Sequence, residues 1–191
     1  MDLPKFLAQS PAFFDTTYAE QFASNWTNMN KNKGTFLTSQ AQPDSDEFIL
    51  LDGCLVGQIS DKNGKEVCVG FYVGPCVVTP NIARTRGGMS LISIMATTDV
   101  NLVRINAGLL SHLMLSSEPI RTWANDVLRE TLSQKVDREW CLTALGGAER
   151  LRWFRKSYPG YEGIFTHSMI ASFLGITPVT FSRLRTSDRS L

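Results

Sequence analysis

Residues Thr166–Arg185 constrain this chain more than any other stretch. Ile170, Phe173 and Leu174 stand at i, i+3 and i+4, one apolar face of a short helix. Gly175 supplies the residue that can take positive φ and end that helix. Thr177 and Pro178 then read as a start signal. The hydroxyl caps the new helix, and the proline takes the first helical position, where its missing N–H costs nothing. Phe181 and Leu184, three apart, can pack back onto the first helix, which turns Val179, Ser182 and Arg183 outward. Two short helices on an apolar backing, the second presenting hydroxyls and arginines, are what a helix-turn-helix DNA reader needs. The plainer reading is a helical hairpin that only packs. Charge and chain order favour DNA.

The net charge of +1 becomes informative once divided along the chain. From Ala148 onward there are seven Lys/Arg and three acids. The remaining residues hold 12 of the 19 basic and 15 of the 18 acidic groups. A basic C-terminal piece on an acidic body suits a nucleic-acid contact confined to one end. Met1-Asp-Leu-Pro-Lys5 has an acid where a secretory leader would be basic, and no apolar run reaches the length of a membrane span. A cytoplasmic protein with no membrane association is the expectation. Cys54, Cys68, Cys76 and Cys141 form no CxxC pair, and three lie in strand-like runs, so buried thiols in a reducing compartment are expected. With His112 and His167 the only histidines, no metal site or cofactor is expected. No paired carboxylates and no nucleophile beside a base appear, so an enzyme is not expected.

Taken in order, residues 1–33 read as a helical lead-in. Phe13, Phe14, Tyr18, Phe22 and Trp26 fall near helical spacing and cover one end of the next unit, and a polar stretch, Asn28–Lys33, closes it. From Gly34 to Ile105 the pattern turns to short β-branched and aromatic runs: 48–51, 54–59, 67–73, 76–78, 90–94 and 100–105. Asp52-Gly53, Asp61–Gly64, Gly74-Pro75 and Arg86-Gly-Gly88 separate them. Asp61–Gly64 predicts a hairpin. Many short strands at this spacing predict an antiparallel sandwich or small barrel, a form that often holds a small ligand.

From Glu118 the period becomes helical. Ala124, Leu128, Leu132, Val136 and Trp140 form an i+4 row, with Ile120, Val127 and Thr131 beside it. A helix of about twenty-five residues with one apolar stripe is long for a domain this small. It either lies on the barrel or pairs with a second copy as a dimer seam. The seam is preferred, because one helix-turn-helix touches too few bases to specify a site. Gly146-Gly147 breaks the helix as a hinge, and Ala148–Ser157 forms another helix ahead of Pro159. The class is therefore α+β, with residues 1–117 a jelly-roll or cupin-like antiparallel sensor β-barrel, 118–146 a dimerisation helix and hinge, and 147–191 a helix-turn-helix domain.

This order resembles the Crp/Fnr superfamily of transcription regulators, whose members are dimers with a cyclic-nucleotide-binding-like barrel. Three passages carry the resemblance. Asn32-Lys-Gly34 with Glu47–Gly53 looks like the family's lysine-glycine opening and following strand. Glu149-Arg-Leu-Arg-Trp-Phe154 looks like its "ER" helix. Thr166–Arg183 matches the helix-turn-helix, including Leu174-Gly175, Thr177 and Thr180-x-Ser182-Arg183. The resemblance implies a homodimer on near-palindromic double-stranded DNA. Arg183 and Ser182 would read bases with help from Val179, Thr180 and Thr177, while Thr166, His167 and Arg185 would touch phosphates. It further implies RNA polymerase as a partner if the protein is an activator.

The chain departs from the family in three places. The phosphate cassette of the family has a Gly-Glu pair and an Arg-Ser or Arg-Thr pair. Here Thr79-Pro80 and Ser90-Leu91 fall at those positions, so the carboxylate and the fixed guanidinium are both missing, and a cyclic phosphate would lose its bidentate partner. Gating by a cyclic nucleotide is therefore not expected. Thr79, Arg84, Arg86 and Ser90 remain a candidate pocket for another small-molecule effector. Val179 replaces the family's frequent glutamate and can touch only a thymine methyl. With six residues after Arg185, the β-hairpin wing is expected to be absent or truncated. The runner-up reading is a small-molecule-sensing barrel whose helical end binds a protein partner.

Overall fold

The computed structural model describes residues 1–13 and 15–188, so Phe14 and Arg189 lie outside the described residues. The chain divides into two compact units. One comprises Met1–Ile59 and Phe71–Thr131, the other Ser60–Gly70 with the residues from Leu132 onward.

The lead-in of the first unit is helical at its start, as the aromatic spacing predicts. Helix α1 (Leu3–Leu7) is capped by Asp2, a 3₁₀ turn spans Pro11–Phe13, and α2 (Thr16–Ala23) is capped by Asp15. Its end differs from expectation. Thr27–Lys31 is not a closing coil but strand β1, paired antiparallel with the last strand from Thr27↔Arg104 to Lys31↔Val100. An edge strand with one wet face tolerates Asn and Lys, so its composition hides it. The strands that follow are β2 (Phe36–Thr38), β3 (Asp46–Asp52), β4 (Cys54–Ser60), β5 (Glu66–Val73), β6 (Cys76–Val77), β7 (Thr85–Arg86), β8 (Met89–Ser90), β9 (Ser93–Ala96) and β10 (Val100–Asn106). The run expected over 90–94 is split between β8 and β9.

The strands form two four-stranded sheets, β1-β10-β3-β6 and β2-β9-β4-β5, with β7 and β8 a separate two-stranded ribbon. This is a jelly-roll of two antiparallel sheets. The β4–β5 turn is fixed by Asp61, whose Oδ1 accepts from Asn63 N–H (2.8 Å) and Lys65 N–H (2.9 Å). Gly53 is required between β3 and β4: its φ is +93°, and a Cβ there would stand 2.5 Å from the Asp99 carbonyl oxygen.

A helix that the sequence reading did not separate, α4 (Ala107–Ser116), follows β10. Asn106 caps it, accepting from Gly108 N–H (2.9 Å) and Leu109 N–H (3.2 Å). Helix α5 (Glu118–Ala144) then runs 27 residues. Its early residues Ile120, Trp123 and Ala124 join Phe13, Phe22, Trp26, Ile49 and Val103 in one buried cluster. Trp123 lies 5.4 Å from Phe22 and 6.4 Å from Trp26, ring centre to ring centre. Apolar burial of this kind, rather than helix propensity, holds such helices in place.

In the second unit, Leu132, Val136 and Trp140 on α5 are all exposed. Gly146 breaks the chain, and α6 (Gly147–Ser157) begins with Glu149 Oε2 accepting from Gly146 N–H at 2.8 Å. A 3₁₀ turn at Tyr161–Gly163 precedes α7 (His167–Phe173) and α8 (Pro178–Asp188). Leu151, Phe154, Phe165, Ile170, Phe173, Leu174 and Phe181 fill the core of this unit. The four cysteines are free, three of them buried and Cys76 half-buried. Burial pushes the Cys68 and Cys76 thiols up to about 12, which keeps them protonated and inert. Among the described residues, no helix is long and apolar enough to cross a membrane, and no cluster of His, Cys, Asp or Glu could hold a metal ion.

Candidate nucleic-acid interface and effector cassette

Helices α7 and α8 form as the capping residues dictate. Thr166 Oγ1 accepts from Met169 N–H at 3.3 Å and starts α7. Gly175 (φ +63°) ends it. A side chain there would be both strained and crowded: a Cβ would meet Arg150 Nη1 at 3.3 Å and Leu142 Cδ2 at 3.4 Å. Thr177 Oγ1 accepts from Thr180 N–H at 3.1 Å and opens α8. With Phe181 wholly buried, the opposite face of α8 is outward. Val179 is 69% exposed, and Ser182 and Arg183 are exposed beside it.

The remaining residues of the expected interface are partly engaged within the protein. The Thr177 and Thr180 hydroxyls share a hydrogen bond of 2.9 Å. The His167 ring packs 5.4 Å from Phe181, and its Nδ1 lies 3.2 Å from Arg185 Nη1. Arg185 Nε also stands 3.6 Å from Glu162, whose stronger partner is Arg155 at 2.9 Å. Arg183 is the exposed guanidinium beside Val179 and Ser182, whereas Arg185 is half-buried.

Two arginines that periodicity does not reveal hold this helix pair in place. Arg150 donates from Nε to Leu145 O (2.9 Å), from Nη2 to Leu142 O (2.8 Å) and from Nη1 to Leu174 O (3.0 Å). It thereby satisfies the carbonyl ends of both α5 and α7. Arg138 places its guanidinium 4.6 Å from the centre of the Phe173 ring and donates to Phe173 O (3.1 Å) and Cys68 O (3.4 Å). Cys68 N–H in turn donates to Ser172 Oγ at 3.0 Å, so the tip of the β4–β5 hairpin is bonded to α7. Arg150 had a signal in the Glu149-Arg150 pair. Arg138 had none, since its partners lie 35 and 70 residues away.

In the roll, the four residues of the candidate effector pocket have different surroundings. Helix α3 (Asn81–Arg84) follows β6. Arg84 is not a solvated loop residue: it is 1% exposed. Its Nε donates to Asp44 Oδ2 and its Nη2 to Asp44 Oδ1, both at 2.9 Å, and Nη1 donates to Thr79 O at 2.6 Å. Nη2 also reaches Asp46 O, Nη1 stands 3.6 Å from Glu47 Oε2, and the guanidinium lies over the Phe48 ring. Thr79 is buried with its hydroxyl 2.7 Å from Tyr72 Oη, and buried Ser90 donates to Ile92 O at 2.8 Å. Arg86 is exposed on the β7–β8 ribbon. Burial works against ionised Asp44, yet its bonds to Arg84 and the charge beside it hold its pKa below the usual value. Burial raises Glu47 despite the Asn81 N–H it accepts and the Arg84 charge nearby.

A jelly-roll, a long helix and a C-terminal helix-turn-helix, in that order, give this chain the fold of the Crp/Fnr family of transcriptional regulators. FixK2 from Bradyrhizobium japonicum matches with a TM-score of 0.72 at 14% identity, over 86% of this chain and 85% of that one. The c-di-GMP-responsive global regulator CLP of Xanthomonas campestris matches with a TM-score of 0.72 at 12% identity, over 92% of each chain. A protein from Eubacterium rectale assigned to the Crp/Fnr family matches with a TM-score of 0.67 at 18% identity, over 95% of this chain and 87% of that one. No family model matches the sequence, and no curated protein matches it. The likeness is one of fold.

Proposed function

We propose that this protein is a sequence-specific DNA-binding regulator that acts as a homodimer and is not gated by a cyclic nucleotide. The observation that carries the reading is the outward face of α8, where Val179, Ser182 and Arg183 stand exposed on a helix anchored by buried Phe181. Arg183 suits a bidentate contact to guanine, Ser182 a base edge or phosphate, and Val179 a thymine methyl. Thr177 and Thr180 assist at the start of the helix. Thr166 and His167 contact phosphate, as does Arg185 once it leaves Glu162.

The exposed row Leu132, Val136 and Trp140 supports the dimer: such a stripe on a long helix is stable when a second copy covers it. Two recognition helices then enter successive major grooves about 34 Å apart. The donors of Arg84 support the loss of cyclic-nucleotide gating, because Asp44, Thr79, Asp46 and Glu47 already occupy them. An anionic effector would have to displace a buried carboxylate. RNA polymerase is a partner if the protein activates transcription.

The test is selection of bound sites from random duplex DNA by the purified protein. Enrichment of a near-palindrome with half-sites one helical turn apart is the expected result. Recovery of unenriched sequence would favour the runner-up, in which the helical end binds a protein.

A further inference from the structure

The outer side of α3 faces a cavity of about 420 Å³, lined by β3, β6, α3, α4 and the start of α5, all within the first unit. Its size falls in the range of small-molecule sites. Its walls are apolar (Val77, Leu110, Met114 and Val127 among them), with Trp26 and Trp123 also lining it. Ile82 of α3, 74% exposed, stands at its edge. Arg84, by contrast, is buried in the Asp44 pair and does not line this space. The cavity is therefore separate from the cassette residues Thr79, Arg86 and Ser90, none of which lines it.

Two features mark it as a site rather than a packing fault. Glu47 lines it, and the local charges leave this carboxylate in surplus. Arg104 pairs with Asp46 at 3.0 Å and Arg84 with Asp44 at 2.9 Å. Glu47 is left with a 3.6 Å contact to Arg84 and the Asn81 N–H at 2.8 Å. Among the described residues the lining holds no lysine, arginine or histidine. The second feature is Trp26, only 9% exposed, whose buried indole N–H has no acceptor among the described residues. A buried donor left unanswered is costly, and it sits in a residue of this wall.

The geometry points to a binding site for a small cationic amphiphile, an aromatic body carrying one amine, with the amine on Glu47 and the body among Trp26, Trp123 and the aliphatic wall. An ammonium complements the surplus carboxylate, and the two indoles favour a cation and an aromatic plane alike. A carboxylate or phosphate ligand would meet Glu47 with only Arg84, already paired to Asp44, to offset the charge. This site does not depend on the DNA-binding reading, and its test uses no DNA.

The test is calorimetric titration of the full-length protein with tryptamine and with indole-3-propionate, which share an indole body and differ in charge. Tryptamine is expected to bind once per chain, and indole-3-propionate about tenfold or more weaker. Glu47→Gln keeps the acceptor for Asn81 N–H and should weaken tryptamine by about the same factor. Ser111→Phe, at the exposed rim, should remove binding of both while the circular dichroism and thermal transition show a folded protein. Equal binding of amine and acid, tryptamine affinity unchanged in Glu47→Gln or in folded Ser111→Phe, or no binding of either compound would overturn the proposal.

Discussion

Arg84 and Asp44 form a bidentate pair, Nε to Oδ2 and Nη2 to Oδ1 at 2.9 Å each, with both side chains sealed from solvent. The pair joins α3 to the loop before β3 across 40 residues of sequence. Removing Asp44 leaves the buried Arg84 charge with only the 3.6 Å contact to Glu47 and backbone carbonyls, which costs more than removing both partners. Asp44→Ala is therefore expected to lower unfolding free energy by about 3–5 kcal/mol. Asp44→Leu combined with Arg84→Met should cost clearly less. Urea denaturation followed by Trp fluorescence measures both, and a double variant less stable than the single one would refute the coupling.

Glu47 and Asp44 respond to pH in opposite directions. Burial raises the pKa of Glu47, so its ionisation opposes folding. That penalty is absent at low pH and sets in as pH rises through the shifted pKa. The pKa of Asp44 is lowered, so its contribution is full above the ordinary aspartate range and is lost as pH falls through the lowered value. Glu47→Gln removes the first effect alone. The stability of the variant relative to the parent should rise between about pH 4 and pH 7. Thermal melts across that range check it, and a difference that stays flat or falls would contradict the burial assigned to Glu47.

On α5 the i+4 row passes from buried Ala124 to exposed Leu132, Val136 and Trp140. In the proposed dimer, a charge placed mid-row should separate the copies without touching a core. Val136→Glu is expected to sediment as a monomer and to lose about a hundredfold or more in affinity for a two-half-site DNA. A variant that remains a dimer would place the seam elsewhere.

Much of this molecule is legible in its sequence, and the illegible parts share a cause. The helix-turn-helix was readable because Thr166, Gly175, Thr177 and Pro178 act locally, and each stands where its cap or turn requires. The strands of the roll were readable where both faces are covered, as in β3 and β4. Strand β1 escaped because an exposed edge carries Asn and Lys, and α4 escaped because its signal is the single cap at Asn106. The surroundings of the candidate effector residues were not readable at all. Arg84 looks like a loop cation, and only the fold brings Asp44 and Asp46 to it. Arg138 is the same case in the second unit, its partners Cys68 and Phe173 being distant in sequence. Local chemistry is written in neighbours, whereas a buried ion pair is written in topology.

In the proposed regulator α8 reads bases, and Arg183 carries much of the reading. This is tested most directly by the affinity of the protein for its selected site against a scrambled duplex at physiological salt, with Arg183→Ala measured in parallel. Binding at least about 10³-fold tighter to the selected site is expected. Arg183→Ala should lose about 1–3 kcal/mol, with relaxed preference at one base pair per half-site. Equal affinity for both duplexes, at about 10⁻⁴–10⁻⁶ M, would contradict base reading by α8.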